Sequence, residues 1–135
     1  MIPKILPNQP TFKYNHPLKK AFDKGLLPKG FKGIYEVELT LENRTLEHIT
    51  PRSQGGGLGY NNVALADRVK NNLRGVDPIG KWVTKKMWIR YLSQFVDVKN
   101  KYIDGMVYIK SLCKRFKIDI QEVIDMACKG KKKGK

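Results

Sequence analysis

The chain reads as an α+β fold, a short strand–loop–strand–helix cassette packed against C-terminal helices. Three observations predict it. Between residues 45 and 75, two short apolar runs flank a glycine-rich loop and lead into a helix signal. Beyond residue 77, apolar side chains recur at helical spacing. Ahead of both, prolines interrupt residues 1–30 too often for regular structure. The expected layout is an irregular arm over 1–30, a core over 31–76, a helical part over 77–128 and a basic, disordered tail over 129–135.

The elements follow in order. Pro3, Pro7, Pro10, Pro17 and Pro28 punctuate the arm, leaving room for one short helix over residues 17–25 with Asn15 or His16 near its start. His16 has no acidic neighbour and no metal-ligand spacing, so it reads as structural. From Gly33 onward, Ile34, Val37, Leu39 and Leu41 sit among polar residues and predict a strand. A turn at Asn43-Arg44 would send residues 46–49 back as its hairpin partner.

The cassette strand stops at Pro51, which cannot continue a central ladder, and Gly55-Gly56-Gly57 makes a loop. A second short run begins at Asn62, and a helix follows with Asp67 as N-cap and Gly75 just past its end. Ala66, Val69 and Leu73 recur as an inward apolar stripe, which puts Asp67, Asn71 and Arg74 on another face.

Asp77-Pro78 is expected to open a helix whose stripe is Ile79, Trp82, Val83, Met87, Tyr91, Leu92 and Phe95. Residues 96–100 break it, and further helices span 104–116 and 119–128. The last two share the outline of a helix-turn-helix unit, as any short helical hairpin does. Cys113 and Cys128 are too far apart for a redox or zinc motif and read as small apolar residues buried in the core that these helices complete.

Composition narrows the partner. Twenty-seven Lys and Arg against 12 Asp and Glu leave a formal charge of +15, with a pI near 9.9. The excess persists without the C-terminal lysines and predicts attraction to a polyanion, nucleic acid before an anionic membrane. The first residues lack the apolar core of a signal peptide, and no apolar run is long enough to span a bilayer. The expected location is intracellular, with no membrane partner.

Glu47-His48-Ile49-x-Pro51-x-Ser53-x-Gly-Gly, then Asn62, then Asn71-x-x-Arg74-Gly75, resembles the motif of the HNH endonucleases, the ββα-metal superfamily, in their small free-standing phage or mobile-element form. The likeness covers roughly a quarter of the chain. It implies a metal-dependent endonuclease that hydrolyses DNA phosphodiester bonds, leaving a 5′ phosphate and a 3′ hydroxyl. One cassette per chain implies nicking unless two protomers cooperate.

By the same resemblance, His48 is the general base, a role suited to an imidazole that titrates near neutral pH. Glu47 and Asn71 supply oxygen ligands to a single Mg²⁺ or Mn²⁺. Asn62 ties down the loop and so fixes His48, and Arg74 clamps the scissile phosphate. Two departures stand out. The last letter of the motif is Asn71 where His is common, which favours an oxygen-loving metal. The paired Cys-x-x-Cys sites of many members are missing, so no structural zinc is expected. Arg52 and Lys70 within the motif, and Lys81, Lys85, Lys86 and Arg90 beyond it, are the expected contacts to DNA, taken to be double-stranded. Glu47 and His48 are neighbours on a strand and should face opposite ways, so the strand must bend or end there.

Each residue alone has a plainer reading: His48 as a surface histidine, Asn62 as a turn residue, Asn71 as helix surface, the glycines as a linker. Only their order and register together favour catalysis. Two rival readings remain open. One is a non-catalytic nucleic-acid-binding module. The other is a subunit of a larger DNA-processing assembly, with an interface on the helix carrying Trp82 and Trp88. Oligomeric state stays open.

Overall fold

The computed structural model describes residues 16–133. Of the arm residues Phe12, Lys13, Tyr14 and Lys19, which on sequence could either touch DNA or pack on the domain, the first three lie outside them, as does the end of the basic tail, while Lys19 is buried. Among the described residues, five α-helices accompany one two-stranded antiparallel sheet, a mixed α+β arrangement. The helices are α1 (Pro17–Asp23), α2 (Arg68–Arg74), α3 (Lys85–Ser93), α4 (Gly105–Phe116) and α5 (Ile120–Lys133). The strands are β1 (Arg44–His48) and β2 (Val63–Asp67).

Local chemistry sets most boundaries. His16 Nδ1 accepts from Leu18 N–H and caps α1, with Pro17 at the first helical position. His16 Nε2–H donates to the Leu58 carbonyl at 2.9 Å, so the ring links α1 to the glycine-rich loop. Both nitrogens are used structurally, as the sequence suggests. Asp67 caps α2 by accepting from Lys70 N–H, and Asp104 caps α4 through the amides of Met106 and Val107. Lys117 adopts the left-handed conformation at the end of α4.

Arg44 to His48 pair with Asp67 to Val63 in unbroken register, and Ile49 N–H extends the ladder to the Asn62 carbonyl. The other edge of β2 is buried and cannot use water, so two tyrosine hydroxyls and the Ile34 amide complete it. Leu65 N–H donates to the Tyr91 hydroxyl, and Tyr108 donates to the Val63 carbonyl at 2.7 Å. A carbonyl can only accept, so Tyr108's one hydrogen is spent there and Tyr91 donates to Tyr108 across 2.9 Å. The relay closes the strand edge without a third strand.

Four expectations are corrected. Residues 34–41 form no strand. Gly33 packs so close to β2 that a Cβ there would lie 2.8 Å from Ala66 Cα, Ile34 N–H donates to the Leu65 carbonyl, and Glu36 turns back at φ 67°. The alternation comes from a tight turn that buries Ile34, Tyr35 and Leu39, and the partner of β1 is β2. The helix expected at Asp77-Pro78 is only a 3₁₀ turn at Ile79–Lys81, because Thr84 accepts from Met87 N–H and restarts the chain as α3. Helix α5 runs on to Lys133, into the stretch expected to be tail. Trp88 is buried and stacks on Phe116 at 4.7 Å, so it cannot carry an interface; Trp82 is half-buried, its ring edge-on to Tyr35.

One apolar cluster draws on every part of the described chain, from Leu18 through Phe31, Leu46 and Leu65 to Phe95, Leu112 and Val123. No helix among the described residues is long and apolar enough to cross a membrane.

Candidate functional site

The polar residues singled out between 47 and 74 come from three elements: the end of β1, the loop that returns as β2, and α2. Regular pairing runs through Glu47 and His48, so the two side chains leave the ladder on opposite faces. The strand ends at His48 without bending first.

Glu47 is 5% exposed and points beneath α2. Its Oε2 accepts from the Tyr35 hydroxyl at 2.6 Å and from Arg74 Nη1 at 2.9 Å. Burial, reinforced by the hydrogen bond and charge of Glu47, pushes the Tyr35 hydroxyl well above its ordinary value, so it remains a donor.

Asn71 is half-buried one helical turn ahead of Gly75, and its amide lies against the same carboxylate. With NH₂ inward it donates to both Glu47 oxygens, at 2.8 Å from Oε2. Glu47 and Asn71 are the residues whose oxygens could serve a hard cation such as Mg²⁺ or Mn²⁺, and Asn71 would have to turn its amide over to do so. Among the described residues no group of three or more His, Cys, Asp or Glu is placed to hold a metal.

Arg74 differs most from expectation. It is 2% exposed, and its guanidinium donates to Glu47, to the carbonyls of His48 and Ile49 and to the Asp77 carbonyl. With four of its five donors turned into the protein, Arg74 locks the end of β1 to α2 and is not placed to clamp a phosphate. This also explains the face of α2. Val69 and Leu73, expected inward, are 66% and 64% exposed, while Arg74 is buried. Hydrogen-bond satisfaction of Arg74 decides the rotation of this seven-residue helix, against its apolar stripe. Ala66 is buried, but as part of β2.

Asn62 is 6% exposed and acts as a clamp on the loop. Its Oδ1 accepts from Thr50 N–H at 2.7 Å, and its Nδ2 donates to the Thr50 and Gly57 carbonyls. It copies a strand partner for Thr50, two residues beyond His48. Gly56 passes so close that a Cβ there would meet the Thr50 carbonyl oxygen at 1.7 Å. The loop is therefore held, not a linker. His48 itself is half-buried at the last position of β1.

Sequence reasoning missed Tyr35 and Arg115. Arg115 reaches from α4 to bond Asn61, Asn62 and Thr50. Burial, and then the charge of Arg74, lowers its pKa. No local pattern signals a contact across more than fifty residues. A cavity of about 330 Å³ opens beside these groups, between residues 49–54 and 76–80.

The expected DNA contacts Arg52, Lys70, Lys81, Lys85, Lys86 and Arg90 are all exposed. They are not equivalent. Arg90 is bonded to Glu36, and Lys85 lies 3.8 Å from Glu122, whereas Arg52 and Lys70 sit on the loop and helix of the site. Cys113 is buried in α4 as expected, but Cys128 is exposed on α5, which corrects the expectation of burial there.

A scan against protein-family models, a search of curated proteins and a search of solved structures each return no match.

Proposed function

We propose that this chain is an HNH-type endonuclease that hydrolyses phosphodiester bonds in duplex DNA with one bound Mg²⁺ or Mn²⁺. The observation that carries the reading is the meeting of Glu47 and Asn71, one from the end of a strand and one from a helix, at a carboxylate–amide pair one residue before His48 in the chain. The motif order, the clamp of Asn62 on Thr50 and the basic surface support it.

In this reading His48, half-buried at the last position of β1, takes a proton from the attacking water. Asn62 holds the backbone after His48. Arg74 and Tyr35 orient Glu47 by binding one carboxylate oxygen, leaving the other toward Asn71. The metal supplies charge stabilisation to the phosphate and the departing 3′ oxygen. Arg52 and Lys70 lie on the elements nearest the site and draw the DNA backbone in.

The test uses an end-labelled duplex with Mg²⁺, Mn²⁺ or EDTA. Cleavage only with metal, products bearing a 5′ phosphate, and loss of cleavage in Asn71→Ala are expected. Cleavage that persists in EDTA would exclude the reading.

A second reading, a non-catalytic nucleic-acid-binding module, draws on the Arg74–Glu47 pair, which balances the carboxylate without a metal. It predicts binding unaffected by EDTA and no cleavage in any metal.

A further inference from the structure

Helix α4 lies outside the strand–loop–strand–helix unit, yet it reaches into the loop through one side chain. Arg115 Nη1 donates to the Asn61 carbonyl at 2.7 Å and to Asn62 Oδ1 at 2.8 Å, while Nη2 donates to Thr50 Oγ1 at 2.7 Å. These acceptors sit at the two ends of the loop, and Asn62 Oδ1 is the atom that also holds Thr50 N–H. The guanidinium therefore fills the second acceptor site of the amide that fixes the chain after His48. It does so from a helix that packs directly against the Tyr60–Asn62 turn and is anchored in the core by Tyr108, Ile109 and Leu112. The planar fork is what lets one side chain serve three acceptors; an ammonium has no such geometry.

We propose that Arg115 is a positioning residue, through which the C-terminal helix holds Asn62 and Thr50, and hence the His48 end of β1, in register for the reaction. The inference rests on the nuclease reading. It makes residues 31–76 insufficient for activity, because the loop is completed from α4.

The test compares the full-length parent with Arg115→Ala and Arg115→Lys, by amide exchange at Thr50 and by steady-state cleavage of duplex DNA with Mn²⁺. In Arg115→Ala, Thr50 exchange should accelerate at least about tenfold, since its amide loses a held acceptor. The kcat should fall about ten- to a hundredfold, the scale of a small misplacement, while KM stays within about twofold. Arg115→Lys should resemble Arg115→Ala in both readouts. Unchanged Thr50 exchange overturns the inference alone, as does recovery of kcat in Arg115→Lys, which would assign the effect to charge. A rise in KM with kcat intact would make Arg115 a substrate contact and also overturn it. A parent chain that never cuts sinks the nuclease reading and the catalytic half of this inference, while Thr50 exchange still judges the hold.

Discussion

Arg74 shows how one side chain sets both stability and geometry. Its ion pair with Glu47 is nearly solvent-free, with side-chain exposures of 1% and 6%. Removing one partner from such a pair leaves a buried charge without compensation. Arg74→Met should therefore cost about 3–5 kcal/mol in denaturant unfolding, in line with a buried charge left alone. A phosphate clamp would behave differently, giving a variant of parental stability with weakened DNA binding.

His16 gives a pH signature. Burial lowers its pKa below 6.5, partly offset by its bond to Leu58, and Nδ1 must stay unprotonated to cap α1. In the window below about 6.5 the unfolded chain binds more protons, so stability rises with pH there. The contribution is complete above that value and is lost as pH falls through the lowered folded pKa. Between about pH 7 and pH 5, the parent's melting temperature should fall more steeply than that of His16→Asn, which keeps a capping acceptor but no titrating ring. Equal slopes would remove His16 from the account.

At this scale, sequence spacing was enough to bring Glu47, Asn62 and Asn71 forward and to set His16 aside. It could not show that Arg74 turns inward, because that depends on four acceptors supplied by β1 and the Asp77 turn.

Among the elements, those with strong local chemistry were legible. Asp67, Asp104 and the break after Phe95 place α2 and α4 within a residue of expectation. The failures share a cause, in that tertiary contacts overrode local pattern. Residues 34–41 alternate like a strand, but the close approach of Gly33 to β2 and the turn at Glu36 make them a cover for the sheet. Thr84, with no conspicuous partner in sequence, starts α3 later than the apolar stripe suggests.

The tyrosine relay on β2 is the least expected element-level device, and it is testable. Tyr108→Phe removes the donor to the Val63 carbonyl and strands the Tyr91 hydroxyl. It should cost about 1–3 kcal/mol in equilibrium unfolding, the scale of an unsatisfied buried polar group. A neutral result would mean that the strand edge finds another partner.

The whole molecule is a basic body whose charge is unevenly committed. Arg90 faces Glu36 and Lys85 faces Glu122, so part of the positive excess on α3 is answered within the chain. If Lys86 contacts a phosphate, Lys86→Ala should lower the slope of log affinity against log salt by about one, measured in EDTA. Arg90→Ala should change that slope less, since losing it also releases Glu36. The sign and size of the charge were plain from composition. The distribution was not, because ion pairs such as Arg90–Glu36 join residues far apart in the chain.

In the proposed reading His48, two residues before the Thr50 backbone that Asn62 holds, serves metal-dependent hydrolysis of DNA. The most direct measurement incubates supercoiled plasmid with the parent chain and with His48→Ala, each with Mg²⁺, Mn²⁺ or EDTA. Open-circular product is expected from the parent with metal only, and none above background from His48→Ala. An intact plasmid with the parent in both metals, in a mixture where the plasmid is still retarded on a gel, would contradict that reading.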